Sequence, residues 1–205
     1  MTAIETPHEY AVLARHERFT GPMFSIVTDD VAMPGGRVAA RDYMRHVGAV
    51  AAVAVDDDGR VVLVRQYRHP VRRFLWELPA GLVDVAGEPA ATTAARELAE
   101  EADLLADQWD LLLDLNSTPG CSDELIRVFL ARGLRPVPDH ERHVRHDEEA
   151  ELTTRRIDLD EAIEMIFRGE ITNGPCIAGL LAAARARDNG WAGLRQPDTP
   201  APAGA

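Results

Sequence analysis

The chain has 205 residues, 46% apolar and 27% charged, a balance that supports one well-buried domain plus an accessory element. Its net charge of -12 argues against a protein that grips nucleic-acid backbones, which needs basic surface. All 22 basic residues are arginine, so lysine-dependent P-loop and Schiff-base chemistry is excluded.

In chain order, residues 1–45 show short, weakly alternating runs such as Met23-Phe24-Ser25-Ile26-Val27, with a turn at Met33-Pro34-Gly35-Gly36-Arg37. They predict a small N-terminal β arm. Two apolar runs, Val50 to Val55 and Val61 to Val64, flank Asp57-Asp58-Gly59 and predict a hairpin of buried strands. Leu111 to Leu115 and Leu125 to Leu130 read as further strands. Asp158-Leu159-Asp160-Glu161 has capping-box spacing, and Leu159, Ala162, Ile163, Ile166 and Phe167 form an apolar stripe ended by Gly169. Asn173-Gly174-Pro175 opens a last helix, with Ile177, Leu180, Leu181 and Ala184 expected inward and Gly190 as its stop. The Pro/Ala-rich tail, 196–205, is expected to be disordered. Strands, a helix, more strands and two closing helices predict an α/β/α layer arrangement. No apolar run approaches the length of a membrane span, and no secretory apolar segment follows Met1. A soluble cytoplasmic protein without membrane or nucleic-acid partners is therefore expected. Cys121 and Cys176 lack metal-ligand spacing and read as plain buried thiols.

The most informative stretch runs from Leu78 to Leu104 and centres on Arg96-Glu97-Leu98-Ala99-Glu100-Glu101. On a helix, Glu97, Glu100 and Glu101 stand at i, i+3 and i+4, so they share a face with Cβ atoms about 5–6 Å apart. Like charges at that spacing destabilise an isolated helix. A hard divalent cation reverses the sign of that cost, and Mg²⁺ is usually held by a few carboxylates plus substrate phosphates. Gly81, Gly87 and Pro89 form a loop that feeds the helix start, and Pro89 suits the first helical turn. An ordinary exposed, charged helix face is the alternative explanation of the same residues.

This segment resembles the Nudix box, the signature of hydrolases acting on a nucleoside diphosphate linked to another group. Glu88, Arg96, Glu97, Leu98, Glu100, Glu101 and Leu104 match in register. Two positions depart from the pattern. Six residues, rather than five, separate Gly81 from Glu88, and Asp103 stands where the pattern has its last glycine. That position wants a left-handed residue, which Asp tolerates better than most. The resemblance implies a Nudix α/β/α sandwich with a mixed sheet over residues 46–195. It also implies two or three Mg²⁺ or Mn²⁺ ions held by the Ala80 carbonyl with Glu97, Glu100 and Glu101. Arg96 would hold the glutamates by charge-assisted bonds, and Glu88 would support the loop-helix junction.

Outside the box the chain resembles ADP-ribose pyrophosphatases in the β arm, in the stretch from Gly48 to Pro70, in WELPAG and in the loop Ser117 to Glu124. Pro119, about fifteen residues past the box, is a marker of such enzymes. The resemblance implies hydrolysis of ADP-ribose to AMP and ribose 5-phosphate by a homodimer built through the arm. Arg41 and Arg68 would approach the adenine and phosphate portions, since a guanidinium both stacks on a base and forks onto phosphate. Glu124 would contact substrate from the partner subunit. Glu148 best matches the general base, on the charged stretch Asp139 to Glu151, with Glu149 and Glu151 as competitors. Another nucleoside diphosphate sugar, flavin adenine dinucleotide, or a non-catalytic ADP-ribose sensor are the alternatives.

Overall fold

The computed structural model describes residues 8–145 and 151–202, and the chain divides into two compact units. The smaller contains the chain up to Val47 together with Thr118–Glu124; the larger contains Gly48–Ser117 and the chain from Leu125 on. The arm is therefore not only the N-terminal stretch expected from sequence. It recruits the Pro119 loop, through a parallel bridge between Met44 and Ser122 and a bond from His46 N–H to Asp123 Oδ1 at 2.8 Å.

In the smaller unit β1 (Val12–Thr20), β2 (Phe24–Ala32) and β3 (Val38–His46) form an antiparallel sheet in that order. The predicted turn is a single 3₁₀ turn at Pro34–Gly36, where Gly35 and Gly36 take φ near +80°. A cross-strand polar knot pins the sheet. Buried Asp29 accepts from Arg15 Nε at 2.7 Å and Nη2 at 2.8 Å and from the Tyr43 hydroxyl at 3.0 Å. The Arg15 hydrogen bonds hold the Asp29 carboxyl below the usual carboxylate range, against the opposing effect of burial. Stability drawn from this depressed value is present above the unfolded carboxylate pKa and is lost as pH falls through the folded one.

The larger unit holds two sheets. β4 (Ala49–Ala54), β7 (Ala80–Leu82), β8 (Leu104–Asn116) and β9 (Leu125–Pro136) form a mixed sheet ordered β7-β4-β9-β8, with β4 and β9 parallel. β5 (Arg60–Arg68), β6 (Arg73–Glu77) and β10 (Thr153–Asp158) form the other, ordered β10-β5-β6. The expected hairpin is half right. The turn exists, closed by Asp56 N–H to the Arg60 carbonyl, but β4 and β5 share only the bridge from Val55 to Val61 and then enter different sheets. Both runs are buried on both faces, and such strands find partners deep in a fold rather than across the nearest turn.

Alternation along β4 builds the layers. Ala51, Val53 and Val55 face a core shared with α2 (Leu159–Phe167) and α3 (Gly174–Asp188). Val50, Ala52 and Ala54 face the opposite way, toward Ala94 and Leu98 of α1 (Ala90–Ala102). The result is the α/β/α sandwich with a mixed sheet expected from the pattern. Asp158 caps α2, accepting from the Asp160 and Glu161 N–H groups, and Asn173 caps α3 by accepting from Cys176 N–H. Two residues expected inward face outward: Phe167 is 76% exposed and Leu181 is 43% exposed. The buried stripes are instead Leu159, Ala162 and Met165 on α2, and Cys176, Gly179, Leu180, Ala183 and Ala186 on α3, which are narrower than the apolar runs. Past Arg195, where disorder was expected, the chain makes a turn in which Thr199 N–H reaches the Gln196 carbonyl. The half-buried Arg127 side chain donates to the Thr199 carbonyl at 2.6 Å, giving this polar stretch an anchor its composition does not reveal.

Gly179 lets α3 lie close on the sheet, since a Cβ there would sit 2.7 Å from Leu78 Cδ1 and 3.0 Å from Val53 Cγ2. Alanine gains roughly 1 kcal/mol over glycine in helix propensity, whereas overpacking a core costs about 1–3 kcal/mol. Packing should win. Gly179→Ala is expected to lower stability by about 1 kcal/mol in urea unfolding; a stabilised variant would show that α3 has room to spare.

Candidate active site

Helix α1 enters from Pro89, whose carbonyl accepts from the Thr92 and Thr93 N–H groups at 2.8 and 3.1 Å. Pro89 itself keeps an extended conformation at the N-cap, one position before the first helical turn expected for it. Burial of Ala94 and Leu98 against the mixed sheet fixes the rotation of the helix. That rotation takes Glu101 inward, where it is 4% exposed and accepts from the Ala80 backbone N–H at 2.9 Å through Oε2. Strand β7 and the helix are thus stitched together by a carboxylate that shares a face with Glu97 and Glu100. Glu97 lies across Gly81, where a Cβ would overlap its carboxylate. The glycine leaves the space that the carboxylate uses.

Arg96 is the counter-charge. Its Nη1 donates to Glu97 Oε1 at 2.7 Å and to Glu100 Oε2 at 3.3 Å, and its Nη2 donates to Glu88 Oε2 at 3.3 Å. Asp84 lies 3.9 Å from the same Nη2. Buried Thr93 donates from Oγ1 to Glu88 at 2.9 Å, holding the far end of the network. Burial pulls the Arg96 pKa down, but Glu97, Glu88 and Glu100 outweigh it and the pKa rises, so the guanidinium stays charged.

The structure therefore brings together Ala80, Glu88, Arg96, Glu97, Glu100 and Glu101. Among the described residues, no three His, Cys, Asp or Glu side chains converge as a finished metal cage. Arg96 donates to Glu97 and Glu100, and the Ala80 N–H donates to Glu101. The residues nevertheless fit a hard divalent cation. They offer carboxylate oxygens on one helix face, as such ions require, and Gly81 clears the ground beside Glu97.

The other expected site residues make contacts of their own. Arg68 forks onto buried Glu77, with Nη2 to Oε2 at 2.7 Å and Nε to Oε1 at 3.0 Å. Arg41, Pro119 and Glu124 belong to the smaller unit. There Arg41 is exposed and donates to the Ala40 carbonyl, Pro119 lies exposed on its loop, and Glu124 Oε1 lies 3.5 Å from His46 Nδ1. Glu148 and Glu149 lie outside the described residues, and Glu151 is exposed. A cavity of about 380 Å³ lies between Arg96, Ala99 and Glu100 of α1 and residues 141–144. Sequence reasoning missed Thr93, Glu77 and the space-making role of Gly81. Thr93 and Glu77 look like ordinary helix and strand residues until their partners are seen.

The NUDIX domain matches residues 44–180, and the chain belongs to that family; it is a Nudix hydrolase. It is 48% identical over 94% of its length to a Mycobacterium tuberculosis protein called ADP-ribose pyrophosphatase, covering 91% of that protein. A Bacillus subtilis protein of the same name is 33% identical, with 80% of this chain and 86% of the relative covered. A crystal structure of an ADP compounds hydrolase superposes with a TM-score of 0.76 at 20% identity, over 91% of this chain and 98% of that one, and supports the fold alone.

Gly81 makes a sharp test of this geometry. In Gly81→Ala the new methyl should displace the Glu97 carboxylate without touching the core. Hydrolytic turnover is expected to fall at least tenfold, because small misplacements of catalytic groups cost up to about 10²-fold, while the urea midpoint barely moves. Full activity would mean that the position of Glu97 is unimportant.

Proposed function

We propose that the protein hydrolyses the pyrophosphate bond of ADP-ribose, using Mg²⁺ or Mn²⁺, to give AMP and ribose 5-phosphate. The observation that carries the substrate is the 48% identity, across 94% of the chain, to a relative named for that activity. The carboxylate face of α1 supports the chemistry. Glu97, Glu100 and Glu101, with the Ala80 carbonyl, would hold the ions. Bound divalent ions supply charge neutralisation of a diphosphate and a lowered pKa for water.

The remaining tasks fall to the chain's own residues. Arg96 keeps the glutamates in place through its bonds to Glu97, Glu100 and Glu88. Glu148 takes the proton from the attacking water, with Glu149 and Glu151 as the alternative bases. Arg41 and Arg68 contact the adenine and phosphate portions; Glu77 would pre-orient Arg68 for this, since a forked guanidinium loses less freedom on binding. Pro119 shapes the loop from which Glu124 reaches substrate in the partner subunit of a homodimer. The dimer reading is supported by the apolar exposure of the three-stranded sheet, where Val12, Leu13, Phe19 and Val38 are all at least half exposed. A cytoplasmic setting is supported by two unpaired cysteines, Cys176, which is buried as expected, and Cys121, which is exposed on its loop instead.

Incubation with ADP-ribose and Mg²⁺ should yield AMP and ribose 5-phosphate in equal amounts; other products, or none, would sink the substrate assignment. Glu148→Gln should lose roughly 10²–10⁴-fold in kcat, the usual range for removing a general base, with KM little changed. A larger loss in Glu149→Gln or Glu151→Gln would move the role to that residue. For the assembly, Leu13→Asp with Phe19→Asp should sediment as a folded monomer; a persistent dimer would exclude this face as the interface.

A further inference from the structure

We propose that Asp103 and Arg145 form a clamp that makes Arg145 a positioning residue for the hydrolytic step. The inference rests on the reading that the base is carried by residues 148–151. Asp103 closes α1 in the left-handed conformation, φ 54° and ψ 37°, where glycine is the usual occupant and any side chain carries a conformational cost. A residue held there at a cost should do something a glycine cannot.

The structure shows what that is. The Asp103 backbone is fully used within the fold: its N–H bonds back to the last turn of α1, to the Ala99 and Leu98 carbonyls. Its carbonyl accepts from Val137 N–H at 2.9 Å, just past β9. The side chain is left to meet Arg145, whose Nη2 donates to Asp103 Oδ2 at 2.8 Å. Arg145 Nε also donates to the Glu100 carbonyl at 2.9 Å. One half-buried guanidinium therefore grips the C-terminal turn of the carboxylate helix at two points, and one of them is the backbone of Glu100 itself.

The grip matters because of what it holds. Residues 142–145 have no regular secondary structure, and residues 141–144 wall the cavity beside Arg96 and Glu100. In sequence, Glu148 follows Arg145 by three residues. At Arg145 the chain is thus fixed to the helix that carries the carboxylates. Removing the clamp should leave the helix intact and loosen the wall. That separates it from a purely structural cap, whose loss would weaken the fold.

Asp103→Gly tests this directly, because glycine suits the left-handed position and deletes only the carboxylate. We expect kcat for ADP-ribose to fall roughly ten- to hundredfold, KM to stay within about twofold, and the urea midpoint to hold or rise. Asp103→Asn, which keeps an acceptor and tolerates the backbone, should recover most of the rate. The double variant Asp103→Gly/Arg145→Ala should be no slower than the worse single variant, since coupled residues are not additive. Trypsin, which cuts only after arginine in this lysine-free chain, should cleave at Arg142 faster in Asp103→Gly than in the wild type. An unchanged kcat in Asp103→Gly overturns the proposal, and so does a kcat loss matched by a lower urea midpoint. Unchanged cleavage at Arg142 also counts against it, and this readout needs no substrate. Failure of the underlying functional reading would appear separately, as a wild type that does not turn over ADP-ribose or as uniformly mild Glu148, Glu149 and Glu151 variants.

Discussion

One guanidinium among carboxylates is the constraint on which the rest of the structure depends. Glu97 and Glu100 share a helix face with Glu101, and Glu88 approaches from the preceding loop. Without a positive charge, neighbours of like sign at helical spacing would destabilise α1. Arg96 supplies that charge in a half-buried setting, where Coulomb interactions are stronger than in bulk water. Its contacts to Glu88 and Glu100, at 3.3 Å, are longer than its contact to Glu97, at 2.7 Å. The arrangement is stable enough to fold, and its oxygen donors remain suited to a hard cation.

The surrounding architecture protects this balance. Ala94 and Leu98 press the helix onto the mixed sheet and thereby set the direction in which each glutamate points. Glu101 is turned inward and tied to β7, so one carboxylate belongs to both the fold and the candidate site. Gly81 keeps the ground beside Glu97 clear, and Thr93 braces Glu88 from inside the helix. Asp103 ends the helix and passes the chain directly into β8, which begins at Leu104. Fold and chemistry are therefore specified by the same short segment, and changes there should separate into those that move a carboxylate and those that move the helix.

Much of this is legible in the sequence, for physical reasons that differ by element. The Arg96 to Glu101 run and the Asp158 and Asn173 caps are local signals, and local signals read well. Strand β1 gave no alternation because all nine of its residues are exposed, so neither face is marked apolar. The β4–β5 turn was readable but the pairing was not, because two-sided burial erases the period that fixes partners. Phe167 and Leu181 misled because an apolar residue at helical spacing need not face the core when the contact stripe is narrow. Partners far apart in sequence were invisible, including Arg145 and Asp103, separated by 42 positions. The left-handed need at Asp103 was foreseen; what its carboxylate holds was not.

The central claim is that the carboxylate face of α1 is a divalent-cation site balanced by Arg96. Thermal melting in chelator and in saturating Mg²⁺ tests it most directly. A ligand at a hundred times its Kd stabilises by about 2.7 kcal/mol, roughly 5–10 °C for a chain of this size. The account predicts a rise of that order for the wild type and little or none for Glu101→Gln. It also predicts that Arg96→Gln melts lower than the wild type in chelator and gains more from Mg²⁺. A wild-type melting temperature indifferent to Mg²⁺, or an equal rise in Glu101→Gln, would contradict it.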